Sequence, residues 1–459
     1  MALLDSPPRR TRAPLASEFH GVSAAGCAID FGTSNSSVAL VGGAAPSSVR
    51  RAAAPTQSPA FCLVSLEDGQ SAIPTAVFFN GEDGSREFGR AAVQAYVDGH
   101  DGRLMRSIKS ILGSDLIERT TEVGPGIVVR YLDVVIAFLR HLRQRAEAQC
   151  GAPLERVVIG RPVFFVDDDP ERDATAQRTL EAAARAAGFR EIAFQFEPIA
   201  AALDFERTVA RETRVLVADI GGGTSDFSVV RVGPGQRGKI DRSGDVLANH
   251  GVHVAGTDFD REVNLAAIMP SLGLGSEGRS ESGAAVRVPN AIYHALATWH
   301  LINTAYTPNR LIELRQMASL YVDQRMHRRL LTVLGHRLGH GLAALAEAAK
   351  IDVALQGEAT IDLALVEAAL DASFDSARQQ RALAGSIARI AQAAGVAIKQ
   401  AGLQPAQIDA LYFTGGSTGL GSLAEAIGAV VPDARRVAGD RFTSVTSGLA
   451  VHAAACFSR

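Results

Sequence analysis

At 459 residues, with 47% apolar and 21% charged residues, the chain is long enough for two or three domains, each with its own core. A formal charge of −3 supplies no basic field for neutralising a phosphate backbone, which argues against a dedicated nucleic-acid binder. No run approaches the roughly 18 apolar residues of a membrane span, and Cys27, Cys62, Cys150 and Cys456 show neither CxxC spacing nor disulfide-scaffold density. With no apolar stretch of signal-peptide length in the first twenty residues, a cytoplasmic protein with reduced thiols is expected.

In chain order, residues 1–25 carry Pro7, Pro8, Arg9, Arg10 and Arg12 without apolar periodicity and read as a flexible tail. From Gly26, Cys27-Ala28-Ile29 runs into Asp30-Phe31-Gly32-Thr33 and then Ser37 to Val41, a strand, tight polar turn and strand. Leu132, Val135, Leu139, Leu142 and Ala146 mark one face of an amphipathic helix, and Val157 to Ile159 a short buried strand. A helix over Asp173 to Ala187 ends at Gly188, placed for a left-handed C-cap. The strand Ile192 to Phe196 then leads into Glu197-Pro198, with Pro198 suited to the first turn of a helix. Asp167-Asp168-Asp169 before Pro170 reads as a solvated loop and helix start, because adjacent carboxylates diverge.

Arg214 to Ala218 then runs into Asp219-Ile220-Gly221-Gly222-Gly223-Thr224, followed by Phe227 to Val230. The opening pattern has returned, with Asp219 189 residues after Asp30, a length that fits one domain copied once. Residues 270–356 are mainly helical in pattern, with the Gly- and Ser-rich stretch from Gly273 to Val288 expected as a mobile, unpacked loop. His336 and His340 stand four apart on an expected helix, but no Glu follows His336, so they read as an ordinary helix face. Ile408 to Phe413 is a strand, Thr414-Gly415-Gly416-Ser417 a turn, and Leu420 begins a helix. Alternating strands and helices indicate an α/β fold in which two similar lobes face each other.

The chemistry follows from the repeated turns. Small residues let backbone N–H groups approach phosphate oxygens, and a strand-end carboxylate can hold the waters of a cation. Asp30 and Asp219 would flank one Mg²⁺ through water, and the turn at Gly415, Gly416 and Ser417 offers helix N-terminal amides to phosphate or sugar oxygens.

In order and spacing these three motifs resemble those of the DnaK (heat-shock 70 kDa) family, within the actin, sugar-kinase and chaperone superfamily. Ile29 to Ser36 is similar to its first phosphate loop, Asp219 to Asp226 to its second, Phe196 to Leu203 to its connecting motif and Phe413 to Thr418 to its adenosine motif. Ser107 to Gly113, Ile159 to Pro162 and Ala187 to Arg190 resemble the short YegD-type members. The resemblance implies an actin-like ATPase fold with a flexible tail at 1–25, lobe I at 26–206, lobe II at 207–439 with an inserted helical subdomain, and a segment at 440–459 returning to lobe I. It implies ATP or ADP with Mg²⁺ as ligands, slow ATP hydrolysis with lobe closure as output, and an unidentified co-chaperone or client. The sequence stops at Arg459 without the pattern of a client-gripping sandwich and lid, so a nucleotide module alone is expected. The alternatives are an actin-like scaffold ATPase and a small-molecule kinase of the same superfamily.

Residue by residue, the resemblance makes Gly32, Thr33, Ser34 and Asn35 the first phosphate cradle and Gly221, Gly222, Gly223 and Thr224 the second. Lys109 resembles the catalytic lysine, and Glu197 would steer or activate the attacking water. Glu347 and Lys350 would meet the ribose. The base pocket departs from the pattern, since Ile351 and Gly419 stand where the family sandwiches adenine between two arginines, which removes cation–π contacts worth about 0.5–2 kcal/mol each.

Overall fold

The computed structural model describes residues 24–42, 61–124, 126–166, 169–279, 285–299, 301–440 and 443–457. The expected tail up to residue 23, Asp167, Asp168 and residues 280–284 lie outside the described residues.

Two mixed sheets carry the fold, and their strand orders correspond. In the first, Ala24–Phe31 lies between Asn35–Gly42, antiparallel, and Arg156–Arg161, parallel; Phe61–Leu63 extends one edge and Glu191–Phe196 the other. In the second, Thr213–Ile220 lies between Ser225–Val232, antiparallel, and Ala410–Thr414, parallel; Val246–Val252 and Arg435–Ala438 form the edges. Register repeats as well: Asp30 pairs with Ser37 in the first hairpin, and Asp219 with Asp226 in the second. Two turns of equal length with the same pairing are what duplication of one lobe predicts.

Both faces of these sheets are covered, so the strands read as near-continuous apolar runs. Alternate residues divide between two cores. Ile29, Phe31 and Leu40 point to the outer core of lobe I, under the helices Tyr131–Cys150 and Pro170–Ala187. Leu216, Ile220 and Phe227 point to the outer core of lobe II. The remaining set, Ala28, Ala39, Val41, Val215, Val217 and Val230, shares one inner core with the helices Glu197–Glu206 and Ser444–Phe457. A Cβ on Gly448 would overlap the carbonyl oxygen of Ala200, so these two helices cross with no clearance. Side chains here are small because backbones approach closely.

Local signals act as their chemistry requires. Asp169 caps the helix Pro170–Ala187 by accepting from Arg172 N at 3.0 Å, and Gly188 closes it at φ +110°. Pro198 sits in the first turn of Glu197–Glu206. At its other end, Glu206 is buried against Arg242 of lobe II, Oε1 to Nη2 2.9 Å, and Arg242 also holds Asp245 at 2.5 Å.

Two expectations are corrected. The stretch from Gly273 to Val288 is not wholly an unpacked loop: Glu277–Arg279 pairs with Ala285–Arg287, and a Cβ on Gly278 would overlap the Leu320 carbonyl, so glycine there permits packing. His336 and His340 do not share a helix. The chain breaks between Gln324–Gly335 and Gly339–Gln356, with Arg337 at φ +54°, which leaves His336 exposed and His340 buried. Gly335 and Gly339 flank that break, a local signal that the four-residue spacing of the two histidines masks.

Candidate functional site

The two hairpin turns abut. A Cβ on Gly222 would overlap Ser34 Oγ, so the second turn needs glycine where it meets the first. The first turn, Gly32, Thr33 and Ser34 running into Asn35, is strapped by Thr75. Its hydroxyl donates to Gly32 O at 2.7 Å and its amide to Ser34 O at 2.8 Å, while Ser36 Oγ lies 2.8 Å from Thr75 Oγ1. In the second turn Gly221 O accepts from Gly256 N at 3.2 Å and Ser417 Oγ at 2.8 Å. Gly222 O accepts from both the amide and the hydroxyl of Thr257 at 2.8 Å, and Gly223 completes the turn. With these carbonyls satisfied inside the protein, the turns are held in one conformation, which an amide cradle for anions requires. The Thr224 hydroxyl donates to Asp226 Oδ2 at 2.8 Å.

Beside the turns, the Lys109 ammonium meets Glu197 Oε1 at 2.6 Å, with side chains only 7% and 14% exposed. Lys109 lies in the short turn Ile108–Ile111, directly after Ser107 in the left-handed region at φ +55°. Glu197 opens the helix Glu197–Glu206, and Gly160 on the adjacent strand leaves it room: a Cβ there would come within 3.1 Å of Glu197 Cγ. Burial works against the Lys109 ammonium, but Glu197, Asp30 and Asp219 outweigh it and hold its pKa above the ordinary lysine value. Asp30 is pushed up to about 8, by burial and by the charge of Glu197, with Lys109 opposing. Asp219 is pushed up to about 7, by burial and by Asp226 and Glu197.

Three carboxylates, Asp30, Asp219 and Glu197, thus share one ammonium, and Asp226 adds to the negative charge beside Asp219. No group of three or more His, Cys, Asp or Glu side chains converges as direct metal ligands among the described residues. A cation whose waters meet Asp30 and Asp219 fits such a charge-rich, ligand-poor cleft.

In the turn expected to meet the nucleoside, Gly415 takes φ +87° and packs where a Cβ would overlap Ile220 O; a 3₁₀ turn, Gly416–Gly419, separates it from the helix Gly421–Val430. Ser417 ties this turn to the second phosphate turn through Gly221 O. Glu347 is exposed on the helix Gly339–Gln356. Lys350 is less available than its spacing implied, because its ammonium pairs with Asp260 Oδ1 at 2.6 Å. Asp260 is raised to about 6 by burial, Lys350 opposing and Glu347 adding. Ile351 is 47% exposed, and Arg310 of the helical segment is engaged with Glu313 at 3.1 Å. Thr75 and Asp260 lie beside these groups with no sequence signal, whereas Ser36 and Asp226 close the two repeated motifs, Asp226 at the position equivalent to Ser37 of the first hairpin.

No helix among the described residues is long and apolar enough to cross a membrane. The profile of the Hsp70 protein family matches residues 27–268, more than half of the chain. Among curated proteins, the chain is 30% identical over 250 residues to a chaperone protein HscA homolog of Azoarcus sp. strain BH72, covering 51% of this chain and 36% of that protein. It is 32% identical over 251 residues to the HscA homolog of Laribacter hongkongensis, with 51% and 36% covered. It is 30% identical over 263 residues to that of Aromatoleum aromaticum, with 53% and 38% covered. The chain thus spans little more than a third of the length of the curated relatives it matches. Duplicated sheets, paired phosphate turns and a profile match across both hairpins lead to one conclusion: the chain belongs to the Hsp70 family and carries its actin-like nucleotide-binding fold.

Proposed function

We propose that the chain binds Mg-ATP in the cleft between its lobes and hydrolyses it slowly, with closure of the lobes as the chaperone-related output. The Lys109–Glu197 pair, set beside the carboxylates of both hairpins, carries this reading. Mg²⁺, held through water by Asp30 and Asp219, would offset phosphate charge. Lys109 supplies a fixed ammonium where charge redistributes in the transition state, and Glu197 orients the attacking water. Neither group needs to move far, because each is already fixed by the other.

Calorimetric titration with ATP in the presence and absence of Mg²⁺ tests binding, and phosphate release tests turnover. Asp219→Asn is expected to weaken Mg²⁺-dependent ATP binding by about 10–100-fold, since the second hairpin loses the charge that orders the cation's waters. Unchanged affinity would remove Asp219 from the site.

Base selectivity provides a separate prediction. With Ile351 and Gly419 in place of guanidinium planes, ATP and GTP should bind within about tenfold of each other. Gly419→Arg should restore one stacking contact and raise ATP affinity about fivefold. Strong ATP preference in the unaltered protein would show that another group covers the base.

A further inference from the structure

Arg161 ends the strand Arg156–Arg161, in register with Phe196 at the end of the parallel strand Glu191–Phe196. Residues in register share one face of a sheet, and the carboxyl ends of parallel strands are where an α/β sheet presents its site. The Arg161 side chain is 12% exposed and engages three elements at once. Its Nε donates to Pro162 O and its Nη2 to Val163 O, both at 3.0 Å, so the loop after the strand wraps around it. Nη2 also meets the two Asp173 carboxylate oxygens at 2.9 and 3.1 Å, and Nη1 donates to Gln177, both residues of the helix Pro170–Ala187. Asp173 in turn accepts from Phe165 N at 2.6 Å. The rings of Phe165 and Phe196 complete the enclosure, their centres 5.1 and 5.3 Å from the guanidinium carbon.

We infer that Arg161 is a positioning residue for Glu197, gripping the Phe196 ring so that the next carboxylate stays on Lys109, an inference that rests on the Mg-ATP reading above. Three observations support it. The helix that Glu197 opens has Phe196 as its N-cap, a side chain with no oxygen to offer the first turn, and no side-chain cap bond forms. Such a helix start depends on what holds its cap residue. Here Arg161 takes the ring, and Gln195 Oε1 accepts from Phe196 N at 2.8 Å while its Nε2 lies 3.0 Å from His452 Nδ1. Secondly, Gly160 and Arg161 end the same strand and act on the same carboxylate: the glycine leaves room for Glu197 Cγ, and the arginine fixes the residue before it. Thirdly, Arg161 has no part among the charges that shift Asp30, Asp219 and Lys109, and its own is paired with Asp173. It therefore acts on the site by geometry, through a planar fork that bonds at its edge while its face meets aromatic rings, which a lysine ammonium cannot reproduce.

The experiment measures single-turnover ATP hydrolysis by the full chain carrying Arg161→Lys, Glu197→Gln or both, with Mg-ATP affinity followed by calorimetry. Arg161→Lys should slow hydrolysis about ten- to thirtyfold while affinity stays within about threefold of wild type. In the Glu197→Gln background the same substitution should slow it no further, because the group that Arg161 positions has already lost its charge. Phe196→Leu keeps an apolar cap residue but removes the ring, so it should show the same dependence on Glu197, and it carries the test if Arg161→Lys fails to fold. Equal slowing in both backgrounds, or hydrolysis at the wild-type rate in Arg161→Lys, overturns the assignment and leaves the nucleotide reading intact. Affinity lost in proportion to rate would mark general loosening of the lobe and also overturn it. A wild-type chain that neither binds nor hydrolyses ATP overturns the Mg-ATP reading, and the role of Arg161 with it.

Discussion

Lys109→Met is expected to slow single-turnover ATP hydrolysis by roughly 10²–10³-fold while Mg-ATP affinity changes little. The magnitude is that of removing one preorganised electrostatic donor from a water-poor site. The structure sharpens the argument, because Lys109 is the ammonium that Asp30, Asp219 and Glu197 all act upon. Without it, Glu197 loses its partner at 2.6 Å and is free to turn, so the group expected to orient water becomes mobile. Methionine keeps the length and apolar stem of the buried side chain, which confines the change to charge. Rapid-quench phosphate release under single-turnover conditions checks the rate, and calorimetry checks the affinity. Chemistry at the wild-type rate would make the pair a structural ion pair.

The second large effect is on stability. Arg242→Met is expected to destabilise the fold by about 3–5 kcal/mol, read as a lower urea midpoint. Arg242 is almost wholly buried and serves both Glu206 and Asp245; removing it leaves Glu206 enclosed without its cation and Asp245 with Arg231 alone, 3.2 Å away. Gly233 N at 3.2 Å from Glu206 Oε1 compensates in part. Because Glu206 ends the helix that Glu197 begins, hydrolysis should fall as well, though by less than in Lys109→Met. Unchanged stability would mean that the pair holds only its own desolvation cost, and Glu206→Gln in the same background would then also be neutral.

Much of this fold was legible because anion-binding turns constrain residue type. A strand-end carboxylate followed by small residues can be spaced in few ways, so Asp30-Phe31-Gly32-Thr33 and Asp219-Ile220-Gly221-Gly222-Gly223-Thr224 announce themselves, and the repeated hairpin registers agree with their separation. Helix signals at Gly188 and Pro198 act through local sterics and were equally readable. Long-range partners were not. Lys350 at helical spacing from Glu347 looks available for a ribose until Asp260, ninety residues earlier, is seen to hold it. The break between Gly335 and Gly339 puts a left-handed arginine at 337, which sequence chemistry disfavours, and separates His336 from His340 although their spacing is helical. Thr75 straps the first turn from a strand edge with no motif of its own, and Tyr96 reaches a histidine 244 positions away.

The contact of Gly448 with the Ala200 carbonyl has a mechanical consequence. Two helices that touch backbone to backbone cannot slide closer without collision, so under the proposed lobe closure rotation about the crossing point would be the soft motion. That fulcrum lies beside the phosphate turns: Ser37, in the first hairpin, bonds Thr446 on one of the crossing helices, and Leu449 lies against Gly160 near Glu197. A small angular excursion therefore displaces the phosphate end little and the peripheral ends of the lobes far more. Under the Mg-ATP reading, a nucleotide would leave base first and phosphates last. The reacting atoms would stay near the axle while the outer ends of the lobes swing.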